Sequence, residues 1–295
     1  MTTWPATNAT TAIGTPTTMT SELSQIADDF NIRAASYARN DWHRRCAERL
    51  VALCRLQPGE RVLDAGTGTG FAALAAARAV GPEGYVLGVD VSLDMLREAR
   101  VAIDAAGLTN IDLREGDATC LSDLSTASLD VVTCAAALLY MPVAAALREW
   151  HRLLRVGGRI AFSTMCAGSP PAASIFRDCA RDFGLSLRDP SAALGSPDAS
   201  RDALENAGFA AIEIIRETIE FTPQDLTLAW ESNFRSAAHT DAQRLSSEAR
   251  DAFKRAYLDA LTRAAADDPG ALTTANLLYA IGRRPGVTPP PAPTE

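Results

Sequence analysis

Short apolar runs alternate with segments of helical spacing between residues 57 and 164 of this 295-residue chain. The runs have the length and composition of buried strands, and they occur at 61–64, 85–90, 111–115, 129–134 and 158–164. Strands that alternate with helices indicate a parallel sheet, because each parallel crossover must return over the sheet. The pattern therefore predicts a doubly wound α/β core.

Two later runs, at 211–218 and 276–282, extend the predicted sheet to seven strands. We expect this sheet to be mostly parallel, with helices on both of its faces. The resulting Rossmann-like domain is predicted to occupy 57–284. The stretches near 165–207 and 222–275 are too long for simple connections and carry helical patterns, so they are predicted to form a helical cap.

The two ends of the chain differ from the core in composition. Residues 21–56 have apolar side chains at helical spacing and are predicted to form an N-terminal helical lid. The threonine-rich residues 1–20 and the proline-rich residues 285–295 are predicted to be disordered tails. The first twenty residues lack the pattern of a signal or transit peptide, and no apolar run reaches the roughly 18 residues of a membrane span. We therefore expect no membrane insertion.

The net charge and the cysteine pattern limit which partners the protein can bind and which cellular compartment it is expected to occupy. The net charge is −8, the pI is about 5.0, and the arginines are scattered along the chain. A protein that binds a phosphate backbone needs a basic patch, so nucleic acid is not expected as a partner. The six cysteines form no CxxC pair, and several lie in apolar runs where a thiol behaves as a small hydrophobe. We therefore expect the protein to reside in a reducing cytoplasm.

A glycine-rich turn lies directly between the first predicted strand and the following helix, in VLDAGTGTG (62–70). Glycines let the backbone approach a ligand closely, and the helix that follows offers unpaired N–H groups. The dinucleotide pattern G-x-G-x-x-G from Gly66 would require glycine at position 71, where this chain has Phe71. Asp64 would also repel a pyrophosphate but attract a cationic amino-acid group. A sulfonium cofactor is favoured over NAD.

Acidic residues follow three successive strands of the predicted sheet. Asp64 precedes the glycine turn, Asp90 ends the second strand, and Asp117 follows the third. The carboxyl ends of parallel strands meet at one edge, where Asp90 could accept hydrogen bonds from ribose hydroxyls. Any one of these residues alone could be a helix cap or a surface carboxylate. Together they predict a crevice for a nucleoside-like ligand.

At this point the chain resembles the class I S-adenosylmethionine-dependent methyltransferases, from about residue 25 to 284. The matching stretches are VLDAGTGTG (62–70), VLGVDVSLDML (86–96), EGDAT (115–119), LDVVTCAAALLYMP (129–142), EWHRLLRVGGRIAFST (149–164) and the final LLYAIGRR. The resemblance points to the small-molecule branch, which is typified by ubiquinone- and menaquinone-biosynthesis methyltransferases and natural-product tailoring enzymes. It implies S-adenosyl-L-methionine as the cofactor and a small-molecule acceptor.

The resemblance also implies cofactor-binding residues. The methionine portion would be held by Asp64, Gly66, Thr67, Gly68 and Gly70. The ribose would bind Asp90, and the adenine would contact Val91, Met95, Asp117 and Ala118. Cys134 and Ala135 would lie near the methyl group, and Tyr37 would close over the amino-acid end.

The chain departs from one motif of related enzymes. Cys134 is followed by Ala-Ala-Ala-Leu-Leu and not by the Asn/Asp-Pro-Pro-Tyr motif of amino methyltransferases that act on nucleic acids. With the acidic charge, this argues against a nucleobase as acceptor. Val143 also stands where a polar residue is expected after Tyr140-Met-Pro142.

Methyl transfer from a sulfonium needs alignment more than it needs a dedicated nucleophile or a metal, and no metal-ligand cluster is expected. The catalytic residues are therefore left unassigned. His43 and His239 are candidate general bases if the acceptor is a hydroxyl group, whereas His151 is expected to pack or cap a helix. Four aromatic residues are candidates for an apolar acceptor pocket or, alternatively, for core packing: Trp42, Tyr140, Trp230 and Phe234.

Several alternatives remain at this level. A tailoring enzyme of the same family could bind the cofactor yet catalyse a cyclisation without methyl transfer. A nicotinamide-dependent oxidoreductase is disfavoured by Phe71 and Asp64, and a non-catalytic binding module is disfavoured by the intact glycine turn. The acceptor, the methylated element and the oligomeric state are not specified, and a homodimer is one of the assemblies that the sequence allows.

Overall fold

The computed structural model describes residues 21–37, 41–222, 226–268, 270 and 272–286. The predicted tail at 1–20, and all but two residues of the one at 285–295, lie outside the described residues. The described part contains one seven-stranded sheet with strand order β3-β2-β1-β4-β5-β7-β6. Its strands are β1 (Arg61–Ala65), β2 (Tyr85–Asp90), β3 (Ile111–Glu115), β4 (Leu129–Ala135), β5 (Leu154–Met165), β6 (Ala210–Glu220) and β7 (Thr274–Arg283).

The sheet confirms the predicted fold class. Strands β1 to β5 pair in parallel, and β7 runs antiparallel between β5 and β6. The helices are α1 (Ser21–Tyr37), α2 (Asp41–Cys54), α3 (Phe71–Val80), α4 (Leu93–Ala106), α5 (Val143–Leu153), α6 (Pro171–Asp182), α7 (Pro197–Asn206), α8 (Ala229–Phe234), α9 (Thr240–Gln243) and α10 (Ser247–Asp267). No helix among the described residues is long and apolar enough to cross a membrane.

Helices cover both faces of the sheet because consecutive strand residues point to opposite sides. In β1, Val62 packs into a cluster with α2, α3 and α4, whereas Leu63 packs into a second cluster with α5 and α7. In β4, Val131 and Val132 divide between the clusters in the same way. The central strands are therefore buried on both faces, which explains their continuous apolar runs.

Two segments predicted as lid or cap lie against the sheet. Helix α2 buries Cys46, Leu50 and Cys54 in the first cluster, and α7 buries Leu204 in the second. Only α1 of the N-terminal pair stands apart from the sheet, where it packs on α4. There the Asn31 side-chain oxygen accepts hydrogen bonds from Ser92 Oγ at 2.7 Å and from the backbone N–H of Asp94 at 3.2 Å.

The helical cap has an apolar core of its own. Helices α6, α8 and α10 bring together buried aromatic side chains, with ring centroids 4.7 to 5.6 Å apart around Phe176. These side chains belong to Phe176, Trp230, Phe253 and Tyr257. The cap helices thus pack around a small aromatic cluster that is separate from the apolar clusters of the sheet.

Candidate active site

The glycine turn after β1 has a backbone that requires glycine. Gly66, Gly68 and Gly70 have φ values of 68°, 53° and 86°, in the left-handed region that L side chains rarely adopt. A Cβ atom on Gly66 would lie 2.5 Å from the Cβ of Ala137. The turn is tied to β2, because the N–H groups of Gly66 and Thr67 donate to the Val89 carbonyl at 2.8 and 3.0 Å.

Asp64 lies beneath this turn and is almost completely buried. Its carboxylate accepts hydrogen bonds from Thr67 Oγ1 at 2.7 Å and from Thr133 Oγ1 at 2.9 Å. Burial raises the pKa of Asp64 to about 6, against the lowering effect of the two hydroxyl donors. A cationic ligand beside it would favour its ionised form.

Asp90 connects the turn to the end of β2. Its two carboxylate oxygens accept hydrogen bonds from the backbone N–H groups of Gly68 at 2.8 Å and Ser92 at 2.9 Å. Burial raises its pKa, and the backbone donors oppose that rise. Asp90 therefore shapes the turn, and it also lines a cavity at this edge of the sheet.

Two adjoining cavities lie at the carboxyl edge of the sheet. The first is lined at β2 and β3 by Asp90, Val91, Met95, Asp117 and Ala118. The second is lined by Asp64 and Thr67. Both cavities touch Tyr37, Gly66, Gly68 and Ala135. The structure thus brings most of the residues predicted for the cofactor to one continuous crevice.

Two of the residues predicted for the cofactor do not line this crevice. Cys134 is fully buried among apolar side chains of the second core cluster, because its side chain points into the sheet packing. Gly70 is the N-cap residue of α3, and a Cβ there would lie 3.1 Å from the Cβ of Ala99 on α4. Gly70 therefore serves the close packing of two helices, and the cofactor contacts of Gly70 and Cys134 stay predictions to which the cavity lining adds no support.

A third cavity, of about 180 Å³, lies between the sheet edge, α1 and the cap. It shares Tyr37 and Ala136 with the first two cavities. Of the aromatic candidates, Trp42 and Tyr140 line it. Trp230 and Phe234 do not, because they stack on each other at 5.0 Å within the cap. For these two the alternative of core packing is correct.

The three histidines occupy different surroundings. The His43 ring stacks on Trp42 at 3.7 Å and on Tyr37 at 4.1 Å, beside the second and third cavities. His239 lines the third cavity and is 2% exposed. Burial lowers its pKa, while the Asn233 carbonyl raises it and Arg177 lowers it further. His151 contacts Phe209 edge to face at 5.1 Å, away from the three cavities, as expected for packing.

Sequence reasoning missed several residues of these cavities. Ala136 lines all three and has a left-handed φ of 52°, and its N–H donates to Ser163 Oγ at 3.0 Å. Such an outlier persists only where the surroundings hold it, yet Ala-Ala-Ala gives no signal of it. Arg33 lines the third cavity from α1, Arg177 lines it from α6, and Asp189 lines it from the loop that follows α6. No group of three or more metal-ligating side chains occurs in the described part of the chain.

The comparisons with known proteins agree with this geometry. A family model described as a methyltransferase domain matches residues 62–158. The arsenite methyltransferase of Halobacterium salinarum is 33% identical over 164 residues, which cover 55% of this chain and 40% of that protein. The nocamycin O-methyltransferase of Saccharothrix syringae is 30% identical over 196 residues, which cover 61% of this chain and 70% of that protein.

Among solved structures, the [4+2]-cyclase SpnF is similar with a TM-score of 0.51 at 21% identity, covering 81% of this chain and 82% of that chain. This likeness concerns the fold. The chain spans about half of the length of several curated relatives that it matches.

Proposed function

The chain belongs to the class I S-adenosylmethionine-dependent methyltransferases, and from this membership we propose that it transfers the methyl group of S-adenosyl-L-methionine to a small-molecule metabolite. The cofactor would occupy the first and second cavities, and the acceptor would occupy the third. A role in biosynthetic tailoring is part of the proposal.

One observation carries the proposal: buried carboxylates from successive strand ends face one crevice around a turn that only glycine can form. Asp64 is buried and Asp90 is half-buried, and the donors to their carboxylates are hydroxyl groups and backbone N–H groups, with no cationic side chain among them. Buried carboxylates of this kind favour a ligand with positive charge and hydroxyl donors. An adenosyl sulfonium with an α-ammonium group has both.

The proposed contacts follow the two cavities. Asp64, with the turn from Gly66 to Gly68, would hold the methionine portion, and Tyr37 would cover it. Asp90 would accept from the ribose hydroxyls. The adenine would lie between Val91 and Met95 on one side and Asp117 with Ala118 at its amino edge. Ala135 and Ala136 would then lie nearest to the methyl group, where the third cavity begins.

When bound, the cofactor supplies a methyl carbon whose bond to sulfur breaks as the acceptor atom bonds to it, leaving a neutral thioether while the acceptor releases a proton. The protein aligns the acceptor with that carbon and excludes water. Alignment of this kind can supply about 7 to 11 kcal/mol of the barrier. The aromatic stack of Tyr37, His43 and Trp42 lies beside the second and third cavities and would fix this alignment.

A cyclase function is compatible with the fold, but the sequence comparisons support it less than they support methyl transfer. The cyclase that resembles this chain is 21% identical, whereas relatives at 30% identity or more are named methyltransferases, among them the two described above. Methyl transfer is therefore favoured. The two reactions are distinguished by whether S-adenosylhomocysteine accumulates with turnover.

The remaining parts of the proposal concern partners and location. A small-molecule acceptor without nucleic acid is supported by the acidic charge of −8. A reducing cytoplasm is supported by Cys46, Cys54, Cys134 and Cys166, which are buried free thiols. A homodimer stays a prediction, for which light scattering in solution is the test.

The function is tested by incubating the full chain with methyl-labelled cofactor and fractionated small-molecule extracts. We expect calorimetry to show binding of S-adenosylmethionine, and we expect label to move to a low-molecular-weight product with one S-adenosylhomocysteine per methyl group. Absence of cofactor binding, or product formation without S-adenosylhomocysteine, would contradict the proposal.

A further inference from the structure

The three cavities meet at the turn that follows β4, at residues 136–137, here called the β4 turn. Ala136 lines all three cavities, and its φ of 52° lies in the left-handed region. The chain then enters a short 3₁₀ helix, Leu138–Tyr140, whose last residue lines the first and third cavities. On its other side the β4 turn packs on the glycine turn, because a Cβ on Gly66 would lie 2.5 Å from the Cβ of Ala137. The conformation of Ala136 therefore sets the position of the wall that the cavities share.

A left-handed alanine is unfavourable unless its surroundings hold it. Ser163 on β5 provides this support. Its Oγ accepts a hydrogen bond from the Ala136 N–H at 3.0 Å, and its backbone carbonyl accepts from the same N–H at 3.2 Å. Ser163 is fully buried and is not among the described residues that line the three cavities. Any effect of Ser163 on a ligand there must therefore pass through a neighbour such as Ala136.

The Ser163 hydroxyl is itself held from the side of α2. Cys46 Sγ lies 3.2 Å from Ser163 Oγ, and the Cys46 thiol also hydrogen bonds to Tyr279 of β7. Burial raises the pKa of Cys46 against the lowering effect of these two hydrogen bonds, so the thiol is neutral near pH 7. All three side chains are exposed by 1% or less. A chain of hydrogen bonds thus runs from β7 through α2 and β5 to the β4 turn, and it fixes the Ser163 hydroxyl.

The Ser163 hydroxyl is not required merely to pair a buried donor. The Ala136 N–H already has an acceptor in the Ser163 carbonyl, so loss of the hydroxyl would not leave this N–H unpaired. What the hydroxyl adds is a second restraint on the direction of that N–H. A glycine at position 136 would adopt the left-handed conformation without such help, whereas alanine has a Cβ that opposes it. This difference points to a role in holding the geometry of the β4 turn.

We propose that Ser163 is a positioning residue for methyl transfer, which holds Ala136 in the left-handed conformation so that the β4 turn directs the methyl group toward the third cavity. The inference rests on the proposed function, since that proposal puts Ala135 and Ala136 nearest to the methyl group. Ser163 acts without touching the cofactor or the acceptor, and no bond forms or breaks at its hydroxyl.

The test compares Ser163→Ala with the double variant Ser163→Ala/Ala136→Gly. Transfer of label from bound S-adenosylmethionine to the product of the small-molecule extract is measured in a single turnover. We expect transfer by Ser163→Ala to be at least about tenfold slower, because the methyl group is misaligned. Affinity for S-adenosylhomocysteine should stay within about threefold of the wild type, because no cofactor contact is removed. The added glycine should return the rate to within about threefold of the wild type, because it needs no support in the left-handed conformation.

The matched control is Thr164→Ala, which removes a hydroxyl group from the next residue of β5. Thr164 is as deeply buried as Ser163, and its Oγ1 donates to the Met165 carbonyl at 3.3 Å. This variant should keep the wild-type rate of transfer. A wild-type rate in Ser163→Ala would overturn the inference, and so would a slow rate that Ala136→Gly does not restore.

A second measurement on the wild-type protein covers the case in which Ser163→Ala does not fold. The Ala136 amide should be protected from hydrogen exchange. Its NMR resonance should differ between the complexes with S-adenosylmethionine and S-adenosylhomocysteine, which differ by the charged methyl sulfonium. A freely exchanging amide, or the same resonance in both complexes, would refute the assignment. Binding of both ligands to the wild type is measured first, so failure of the proposed function is recognised separately from failure of this inference.

Discussion

Asp90 stabilises the fold, and under the proposed function it would also bind the ligand. Its carboxylate holds the N–H groups of Gly68 and Ser92, so it sets the distance between the glycine turn and the start of α4. The same residue lines the first cavity with Val91 and Met95. Under the proposed function, a half-buried carboxylate that the backbone holds in this way would already be positioned for the ribose before any ligand binds.

Replacing Asp90 with alanine should therefore weaken binding of S-adenosylmethionine by about 1 to 3 kcal/mol, the value of a few hydrogen bonds to a charged group. Isothermal calorimetry measures the change. The matched control is Asp112→Ala, which removes an exposed carboxylate that binds Tyr85 on the edge of the sheet. Equal affinity of the Asp90 variant and the wild type would remove Asp90 from the proposed site.

Asp64 predicts a pH dependence of cofactor binding. Its pKa is raised to about 6 by burial, so the free protein is increasingly protonated at this position below that pH. A cationic cofactor favours the ionised form and lowers the pKa in the complex. By linkage, affinity should be full above about pH 7 and fall by up to roughly tenfold per pH unit below about 6.

The measurement is the dissociation constant of S-adenosylmethionine from pH 5 to pH 8. In Asp64→Asn the affinity should be lower and its pH dependence shallower, with the remaining slope due to Asp90, whose pKa is also raised by burial. A wild-type affinity that rises as the pH falls would reverse the sign and exclude a cationic group beside Asp64.

At the scale of the elements, the β1 turn depends on backbone geometry at Gly66. Gly66→Ala adds a left-handed alanine, at about 1 to 2 kcal/mol, and places its Cβ against Ala137. Gly59→Ala is the matched control, because Gly59 has a φ of 83° but no atom within 4 Å of an added Cβ. Thermal unfolding should show both variants destabilised and Gly66→Ala the more so. Only Gly66→Ala should lose cofactor affinity.

A buried ion pair connects β1, β5 and the end of α2. Arg159 Nη2 lies 2.5 Å from Glu60 Oε2, and its Nε donates to the Cys54 carbonyl at 3.0 Å. Arg159→Met should lower the free energy of unfolding by about 3 to 5 kcal/mol, since it leaves Glu60 buried without its partner. Arg44→Met, in an exposed pair with Glu48, should change it by about 1 kcal/mol or less. Denaturant unfolding distinguishes the two.

The elements of the core could be predicted from sequence because each strand is a short apolar run bounded by turn residues. Helix boundaries in the cap follow capping chemistry, which apolar spacing does not report: α6 begins at Pro171 and α7 at Pro197. Both helices have proline in the first turn, and the Ser196 side chain accepts from Ala199 N–H at 3.1 Å. These signals were present in the sequence but weaker than periodicity.

The candidate site also has one part that the sequence could predict and one part that it could not. The carboxylates and the glycine turn follow strand ends, so topology alone brings them together. The third cavity is assembled from α1, α6, the loop at Asp189 and the segment at His239, which are distant in the chain. Nothing local to Arg177 or Asp189 indicates that they meet, because the contact depends on how the cap folds.

At the scale of the whole molecule, the crevice proposed for the cofactor belongs to the sheet, and much of the third cavity, proposed for the acceptor, belongs to the cap. The two parts have separate apolar cores, with Phe253 central to the cap and Phe162 central to one face of the sheet. Each is fully buried, so truncation of either to alanine should remove about 3 to 5 kcal/mol of packing. The loss of local stability should fall on the cap in one variant and on the sheet in the other.

Hydrogen exchange measures this difference. In Phe253→Ala, amides of α6 and α10 should lose protection while those of β1 and β4 keep it, and affinity for S-adenosylhomocysteine should stay within about twofold of the wild type. In the control Phe162→Ala, the loss should fall on the strands, because local opening follows the unit that lost its contacts. If both variants instead lost protection uniformly over cap and sheet, the two cores would unfold as one unit, and acceptor recognition could not be altered through the cap without also weakening the cofactor crevice.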